Sequence, residues 1–302
     1  MIPAKRKIAD LEVSTLCLGT MTFGTPVSKP EAIAMVHWAL DHGIDFIDTA
    51  DMYEGYTRQL GSHGGIGEQF LGEAIKDRRA AAIVTTKAGN PVGSPDPDIS
   101  RAHLTKQLDR SLGYLQTDYV DIFELHRPDG RTPLEESVVA MADFVAQGKV
   151  RYWGFSNFEA DQIEAMLKIC DDHGFPRPVV SQPQFSWLNR EADQQHLPPC
   201  RAAGIAVTPY RVLESGLLTG KYRRGQPLPA DSRAAEENCN WLSEPDETVY
   251  DRLETFEAEA AKAKLTPSQY ALKWVLDQPG VTSCVVGAKR IDQIEALLPG
   301  CV

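Results

Sequence analysis

The chain has 302 residues, of which 42% are hydrophobic and 24% are charged, so it can bury a large globular core. Its formal net charge of -11 argues against nucleic acid or an anionic membrane as the main partner. No apolar run approaches the length of a membrane span, and no apolar segment follows residues 1–7. Neither a transmembrane helix nor a secretory signal is therefore expected.

Six cysteines are scattered along the chain without a CxxC pair: Cys17, Cys170, Cys200, Cys239, Cys284 and Cys301. This pattern favours reduced thiols in a cytoplasmic protein, with disulfide bonds as the less favoured alternative. No HExxH-type motif is present, so no metal site is expected.

The N-terminal region combines a hairpin, a strand and a helix. Residues 6–18 read as a short hairpin followed by a first strand, and a glycine-bounded loop, Gly19–Gly24, comes next. Ser28 and Glu31 have the spacing of a capping box, which satisfies the first free amides of a helix. Gly43 ends that helix.

Strand-like apolar runs then recur, separated by helical patterns. They begin near residues 45, 82, 119, 150, 178, 204 and 282. With the first strand, these make eight strands that alternate with helices without a break in composition, which indicates a parallel sheet. The predicted fold is a single α/β domain over residues 1–302, a closed (β/α)8 TIM barrel with an N-terminal β-hairpin. A doubly wound open sheet is the alternative, but its usual GxGxxG is missing from the first turn.

Two loops are longer than the others. Residues 54–65 carry four glycines and resemble a phosphate cradle. They follow no strand in the right register, so a flexible insertion is the favoured prediction. Residues 211–245 follow the seventh strand and are rich in Pro and Arg. A loop of this length in a compact domain is typical of a lid or a binding loop.

Four side chains are predicted to meet at one end of the barrel. Asp48 ends a buried strand, where a carboxylate is costly unless a cation pairs with it. Lys87 and His126 end the next two strands, and Tyr53 lies on the loop after Asp48. Because the C-terminal strand ends form one mouth, Lys87 can supply the cation that Asp48 requires. A capping Asp and an ordinary loop Tyr are the alternative interpretation of Asp48 and Tyr53.

The chemistry of this set suits proton delivery to a carbonyl. An unperturbed tyrosine has a pKa of about 10, and a buried cation beside Tyr53 is expected to lower it. Asp48 would keep Lys87 charged and oriented, while His126 would donate a hydrogen bond to the same carbonyl oxygen. No activated Ser or Cys is evident, so a hydride donor would complete the reaction, and that implies a nicotinamide cofactor.

The ordered set Asp48, Tyr53, Lys87 and His126 resembles the catalytic tetrad of the aldo-keto reductase superfamily. Further stretches share the resemblance: Leu18–Gly24, Asp48–Ala50, Thr86–Lys87, Leu125–Asp129, Gly154–Phe158 and Ser215–Lys221. It extends from about residue 8 to residue 297, and the long loop after strand seven is similar to that of the bacterial and potassium-channel-β-subunit-like branches.

The resemblance implies NADPH/NADP⁺ as cofactor and a set of positions that bind it. They are Gly19, Thr20, Met21, Asp48, Ser156, Asn157, Gln182, Tyr210, Leu213, Gly216, Lys221, Arg233, Gly287, Lys289 and Gln293. Ser156, Asn157 and Gln182 would hold the nicotinamide carboxamide, and Tyr210 would stack on the nicotinamide ring. The alternatives are a capping box from Ser156 to Glu159, a polar strand end and an interfacial aromatic.

The remaining positions would hold the rest of the cofactor. Leu213, Gly216, Lys221 and Arg233 match the loop around the pyrophosphate and ribose, although the two cations could equally be surface charges. The segment 287–290 precedes the last helix, where free amides and added cations would bind the 2′-phosphate. Gln293 matches the adenine contact.

Two departures from the family pattern affect specificity. Arg211-Val212 replaces the usual Ser-Pro, and Arg211 is expected to contact the pyrophosphate or to pair with Glu214 or another acidic loop residue. An Arg211 side chain turned out to solvent is the alternative. Ala296-Leu297 replaces the usual Glu-Asn, and the sequence stops at Val302, before the family's usual tail. A weaker adenine clamp and a smaller substrate-pocket wall are expected.

The predicted function is an NADPH-dependent oxidoreductase that reduces aldehydes, with ketones as further candidates, to alcohols with Tyr53 as general acid. Its partner would be a small-molecule carbonyl substrate, without nucleic acid or membrane. The alternative is an NADPH-binding regulatory subunit of a partner protein; an idle barrel is disfavoured by the complete tetrad. The sequence leaves the natural substrate, the preferred direction and the oligomeric state open.

Overall fold

A computed structural model describes residues 2–230, 232–233 and 245–301 of the protein. Cys239 and parts of the loop 211–245 lie outside the described residues. The other five cysteines are free and buried.

The chain forms an antiparallel hairpin and an eight-stranded parallel sheet. The hairpin strands are β1 (Lys5–Ile8) and β2 (Leu11–Ser14). The parallel strands are β3 (Leu16–Gly19), β4 (Phe46–Asp48), β5 (Ile83–Ala88), β6 (Val120–Leu125), β7 (Val150–Ser156), β8 (Val180–Gln182), β9 (Ala206–Val207) and β10 (Cys284–Gly287).

The sheet closes on itself as a TIM barrel. Strands β3 to β9 pair in chain order, and β10 pairs with β3. At the remaining seam, the N–H of Thr282 donates to the carbonyl of Val207 at 2.7 Å, and the N–H of Val285 donates to the carbonyl of Pro209 at 2.9 Å. The predicted (β/α)8 barrel with an N-terminal hairpin is therefore confirmed.

Helices alternate with the strands. They are α1 (Lys29–Asp41), α2 (Ile66–Ile75), α3 (Arg101–Leu115), α4 (Leu134–Ala146), α5 (Ala160–His173), α6 (Ala192–Gln195), α7 (Leu197–Ala202), α8 (Glu247–Lys262), α9 (Pro267–Leu276) and α10 (Ile291–Glu295). The predicted capping box is present at α1, where the N–H of Ser28 donates to Oε2 of Glu31 at 2.9 Å. Across the described ranges, no helix is long and apolar enough to span a membrane.

The alternation of side chains along each strand determines where the site lies. Outward residues such as Leu18 and Ile47 pack in the main core that includes helix residues, whereas inward residues such as Phe46 and Ile122 pack with Ile8 of the hairpin. Because side chains on one face recur every two residues, Asp48 lies on the inward face of β4 beyond Phe46. The inward face is thus apolar near the hairpin and polar at the C-terminal strand ends.

Two strands are shorter than predicted, for a local reason. The run near residue 178 becomes a strand only at Val180, and the run near 204 pairs regularly only at Ala206–Val207. Pro178 and Pro209 have no N–H to donate to a neighbouring strand, so each interrupts the regular series of hydrogen bonds at its own position. The predicted long connection lies between the end of β9 and the start of α8 at Glu247.

Candidate active site

A cavity of about 800 Å³ opens at the C-terminal ends of the barrel strands. Most of the residues predicted to form the site line it: Gly19, Met21, Asp48, Tyr53, His126, Ser156, Asn157, Gln182, Tyr210, Arg211, Leu213, Gly216, Lys221, Arg233, Gly287, Lys289 and Gln293. Thr20 and Lys87 do not line it, because both are fully buried behind its wall. The fold therefore gathers residues that are up to 274 positions apart, as between Gly19 and Gln293.

Asp48 and Lys87 form a buried ion pair. Nζ of Lys87 donates to Oδ1 of Asp48 at 2.5 Å and to the carbonyl of Thr49 at 2.7 Å. The exposed fractions of the two side chains are 0% for Lys87 and 2% for Asp48. The partner expected for a carboxylate at the end of β4 is therefore present, and it is the lysine of the adjacent strand.

Lys87 remains charged despite its burial. Burial alone lowers the pKa of a lysine, but the nearby Asp48, with smaller contributions from Tyr53 and Glu124, raises the pKa of Lys87 above its usual value. Its Nζ lies 5.2 Å from the centroid of the Tyr53 ring. A permanent cation therefore stands beside the tyrosine.

The pKa of Tyr53 departs from expectation. Burial raises it above the ordinary value, and Asp48 raises it further, whereas Lys87 lowers it. The expected direction of the Lys87 effect is correct, but the expectation of a pKa below 10 is wrong for the protein alone. Loss of hydration around the phenolate outweighs the attraction of the ammonium group. Tyr53 is therefore protonated at neutral pH, which is the form that can donate a proton.

His126 is neutral in this site. Burial lowers its pKa well below the ordinary range, and the positive charge of Lys87 lowers it further. Its ring lies edge-on to that of Tyr53, with 6.0 Å between the centroids. Nδ1 is buried and has no hydrogen-bond partner within the described part of the chain. A neutral imidazole carries one N–H, so His126 can donate a hydrogen bond without carrying a charge.

A chain of amide and hydroxyl groups extends from the ion pair along the strand ends. Nε2 of Gln182 donates to Oδ1 of Asp48 at 2.8 Å, and Oγ of Ser156 donates to the carbonyl of Gln182 at 2.6 Å. The alternative role of Ser156 as a helix cap is wrong, because α5 is capped by Glu159 in a capping box with Gln162. Ser156 instead joins β7 to β8.

Asn157 continues this chain towards β9. Its Nδ2 donates to Oγ of Ser156 at 2.8 Å and to the carbonyl of His126 at 3.0 Å. Its Oδ1 accepts a hydrogen bond from Oη of Tyr210 at 2.8 Å. Asn157 has a φ of 61°, a left-handed conformation that Asn tolerates better than most residues. The side chains of Ser156, Asn157 and Tyr210 are therefore fixed relative to one another.

Another part of the cavity wall contains a tyrosine flanked by cations. Nε of Arg233 donates to Oη of Tyr56 at 3.0 Å, and the guanidinium lies 4.8 Å from the centroid of that ring. Nζ of Lys289 lies 5.6 Å from the same centroid. Tyr56 thus connects the glycine-rich insertion 54–65 to the loop after β9, and its role is not evident in the sequence.

The segment before α10 differs in part from expectation. The N–H of Lys289 donates to Oε1 of Gln293 at 2.8 Å, so this amide is not free. The guanidinium of Arg290 pairs with Asp292. Lys289 lines the cavity, but Arg290 does not. At Lys289, contact with an anion would therefore involve the side chain rather than the backbone N–H.

Arg211 lies on the cavity wall next to Tyr210, with a φ of 57°. The expected alternative of a pair with Glu214 is wrong: Oε1 of Glu214 accepts from Gln184 at 3.1 Å, and Oε2 accepts from Ser186 at 2.6 Å. Within the described residues, the side chain of Arg211 makes no hydrogen bond or ion pair, whereas its backbone carbonyl accepts from the N–H of Glu214 at 2.7 Å. Its guanidinium is thus available to a bound group.

Glu124 is a buried carboxyl group in the barrel that the sequence analysis did not predict. It pairs in register with Lys87 across β5 and β6 and has no solvent exposure. Oγ1 of Thr85 donates to its Oε1 at 3.2 Å, and burial raises its pKa to about 8. The alternation in β6 contained the necessary signal, because Glu124 stands two residues before His126 and so shares its inward face.

A model described as "Aldo/keto reductase family" matches residues 15–301. The chain is 35% identical over 296 residues to "Probable voltage-gated potassium channel subunit beta" from Arabidopsis thaliana, covering 95% of this chain and 87% of that protein. It is 31% identical over 324 residues to "Protein tas" from Escherichia coli (strain K12), covering 95% of this chain and 89% of that protein. The solved structure of a glycerol dehydrogenase from Gluconobacter oxydans matches with a TM-score of 0.82 and 26% identity, covering 99% of this chain and 90% of that one.

Proposed function

Because this chain belongs to the aldo/keto reductase family, whose members use nicotinamide cofactors, we propose that it is an NADPH-dependent oxidoreductase that reduces aldehydes to alcohols. Ketones are further candidate substrates. The observation that carries this proposal is the buried Lys87–Asp48 pair beside Tyr53, in the wall of a cavity lined by polar strand ends. Residues 1–302 would form one domain.

The residues on the cavity wall fit a nicotinamide dinucleotide. Gly19 and Gly287 are register partners on β3 and β10, and a Cβ added to Gly19 would lie 3.2 Å from Cγ1 of Val285. Two adjacent strand ends therefore carry no side chain, so a planar group can approach their backbone closely. Asn157 and Gln182 offer amide groups of the kind that pair with a carboxamide. Lys289 supplies a cation for a phosphate.

Each residue near Tyr53 would contribute one action to carbonyl reduction. When bound, the nicotinamide supplies the hydride. Tyr53 would donate the proton to the carbonyl oxygen, and neutral His126 would donate a hydrogen bond that orients the same oxygen. Lys87 would stabilise the phenolate left behind, and Asp48 would hold Lys87 in place. Because all four groups are positioned before the substrate arrives, little reorganisation accompanies the reaction.

A second candidate function is an NADPH-binding regulatory subunit of a partner protein. The observation in its favour is the 35% identity to the Arabidopsis thaliana channel-subunit relative over nearly the whole chain. The cavity and the ion pair are compatible with either function, since a cofactor sensor also needs a cofactor site. Catalytic turnover distinguishes the two.

A screen for NADPH consumption tests the proposal directly. The panel should include aliphatic, aromatic, sugar-like and pyridoxal-type aldehydes together with simple ketones, and NADH should be run in parallel. Turnover of at least one aldehyde class that disappears in Tyr53→Phe would support the reductase. Tight NADPH binding without turnover of any member would contradict it and favour the regulatory subunit.

A further inference from the structure

The carboxyl group of Glu124 lies beside the proposed proton-donating groups without touching the cavity. Glu124 and Lys87 are register partners on β6 and β5, and both are fully buried. The Thr85 hydrogen bond places the Glu124 side chain on the same inward face as Lys87. Its second oxygen, Oε2, is buried and has no hydrogen-bond partner within the described ranges.

A buried carboxyl group with one oxygen unpaired destabilises the folded protein. Such a group close to a large cavity is also a recognised sign of a functional site, because its charge state acts strongly on its neighbours. The titratable groups whose charges interact with that of Glu124 come from several elements: Cys17 from β3, Asp48 from β4, Tyr53 from the following loop and Lys87 from β5. His126 stands two residues further along the chain, on the same inward face. The register partner of Glu124 on β7 is Gly154, and Val180, Gln182 and Val285 of β8 and β10 are uncharged.

We propose that Glu124 is a positioning residue that controls, together with Lys87, the acidity of Tyr53 and so favours carbonyl reduction over alcohol oxidation. This inference rests on the proposed role of Tyr53 as proton donor. A carboxylate at Glu124 would share the charge of Lys87 with Asp48. Less of that charge would remain to stabilise a Tyr53 phenolate, and phenolate is the form that accepts a proton when an alcohol is oxidised.

The charge state of Glu124 determines when this influence acts. Its pKa of about 8 means that it is mostly protonated at neutral pH and ionises in mildly alkaline solution. The negative charge of Glu124 raises the pKa values of both Lys87 and Tyr53. Above pH 8, Tyr53 would therefore keep its proton to a higher pH than it would beside a neutral side chain. The Tyr53 phenolate needed for oxidation would therefore form only at a higher pH.

The first test measures how the rates of carbonyl reduction and alcohol oxidation depend on pH in Glu124→Gln. Glutamine keeps the size and the acceptor for Thr85 but cannot ionise. The pH at which reduction loses activity should be about one unit lower than in the wild type, and so should the pH at which oxidation gains activity. A shift of about this size is expected when one nearby buried charge is removed. Titration of the phenolate absorbance, taken as the difference between each protein and its Tyr53→Phe counterpart, should show the same shift without turnover.

Glu68→Gln is the matched control. Glu68 is also fully buried, and burial also raises its pKa. Its Oε1 accepts a hydrogen bond from Thr86 at 2.6 Å. Thr86 is next to Lys87 in β5, so its side chain lies on the other face of the strand, away from Glu124. Its substitution should shift the Tyr53 titration much less. Equal shifts in both variants, or no shift in Glu124→Gln, would overturn the inference. Glu124→Met, which also lacks the charge, must repeat the Glu124→Gln shift.

Stability against pH gives a readout that does not depend on the cofactor. A carboxyl group whose pKa is higher in the folded than in the unfolded state contributes most to stability below the unfolded value of 4.5. That contribution is lost as pH rises through the folded value of about 8. The melting temperature of Glu124→Gln relative to wild type should therefore increase between these pH values and then level off. A constant difference would show that Glu124 does not titrate there and would overturn the inference.

These outcomes separate the inference from the proposed function. If Tyr53→Phe keeps its activity, the proton-donor role itself is wrong. If Tyr53→Phe is inactive while Glu124→Gln leaves the Tyr53 titration unmoved, the proposed function stands and only the role of Glu124 is refuted.

Discussion

Nε2 of Gln182 donates to Oδ1 of Asp48 at 2.8 Å, and the same oxygen accepts from Nζ of Lys87 at 2.5 Å. One carboxylate oxygen therefore joins a residue expected to hold the nicotinamide to the residue expected to act on Tyr53. Nε2 uses one of its two N–H groups in this bond, so its other N–H and the side-chain oxygen Oε1 of Gln182 remain to pair with a carboxamide. Cofactor position and proton donation would then be coupled through Asp48.

Tyr53→Phe should abolish carbonyl reduction while NADPH affinity stays close to wild type. The change removes the hydroxyl that would donate the proton but very little volume. Loss of a positioned general acid typically reduces the rate by about 10²–10⁴-fold. Steady-state kinetics with the best aldehyde and fluorescence titration of NADPH would measure the two effects.

Tyr152→Phe is a suitable control for that variant. Tyr152 belongs to β7, but its hydroxyl donates to Asp10 at the hairpin end of the barrel, at 2.7 Å. This variant also loses one phenolic hydroxyl, but at a position far from the cavity, so kcat/KM should remain near wild type. A Tyr53→Phe enzyme that retained most of its kcat/KM would refute the general-acid assignment.

Lys87→Met should be inactive and less stable. Methionine fills a similar space, but it leaves Asp48 buried with Gln182 as its remaining side-chain donor among the described residues. Removing one partner of a buried ion pair typically costs about 3–5 kcal/mol. Since Lys87 lowers the pKa of Tyr53, any residual activity should extend to higher pH, opposite to the shift expected for Glu124→Gln. An unchanged pH profile would show that Lys87 does not act on Tyr53.

Lys289→Ala should weaken NADPH binding selectively. Lys289 lines the cavity near Tyr56 and Arg233, where a 2′-phosphate would find positive charge. Losing one charge-assisted hydrogen bond of about 1.5–3 kcal/mol should raise the NADPH dissociation constant by about tenfold or more. Lys273→Ala, on the exposed face of α9, is the control. Equal weakening of NADPH and NADH would argue against a 2′-phosphate contact.

Local sequence patterns were sufficient to predict the barrel and the main ion pair. Each strand is marked by an apolar run with glycine or proline a few residues away. The eight strands could therefore be recognised without knowing which strands pair with each other. Asp48 at a strand end required a cation, and Lys87 ended the next strand. A buried charge is costly enough to make such a partner necessary.

The remaining features depend on packing between distant segments. The pKa of Tyr53 reflects a balance of lost hydration against the charge of Lys87, and the amount of lost hydration follows only from the packed structure. The contact between Arg233 and Tyr56 joins residues 177 positions apart. Glu124 faces Lys87 only through the register of β5 and β6. The alternation in β6 indicates that Glu124 faces inward, but none of these contacts between distant segments leaves a periodic signal in the sequence.

Arg211 is one of the cavity-lining residues at which the sequence is expected to depart from the family pattern. Its φ of 57° is uncommon for a residue with a long side chain, so the surrounding loop must hold the backbone in place. The carboxylate of Glu214 is already satisfied by Gln184 and Ser186. A planar guanidinium on the cavity wall, without a protein partner in the described residues, suits phosphate oxygens better than the single hydroxyl of serine would.

Arg211→Ser should therefore weaken NADPH and NADH by similar factors, because the pyrophosphate is common to both cofactors. The loss should be largest at low ionic strength, where charge interactions are least screened. Fluorescence titration of both cofactors at two salt concentrations would measure it. Arg223→Ser is the control, since Arg223 lies on the same loop, pairs with Glu257 and does not line the cavity. Unchanged affinities in Arg211→Ser, or equal changes in both variants, would exclude a pyrophosphate contact and leave Arg211 to the substrate side of the site.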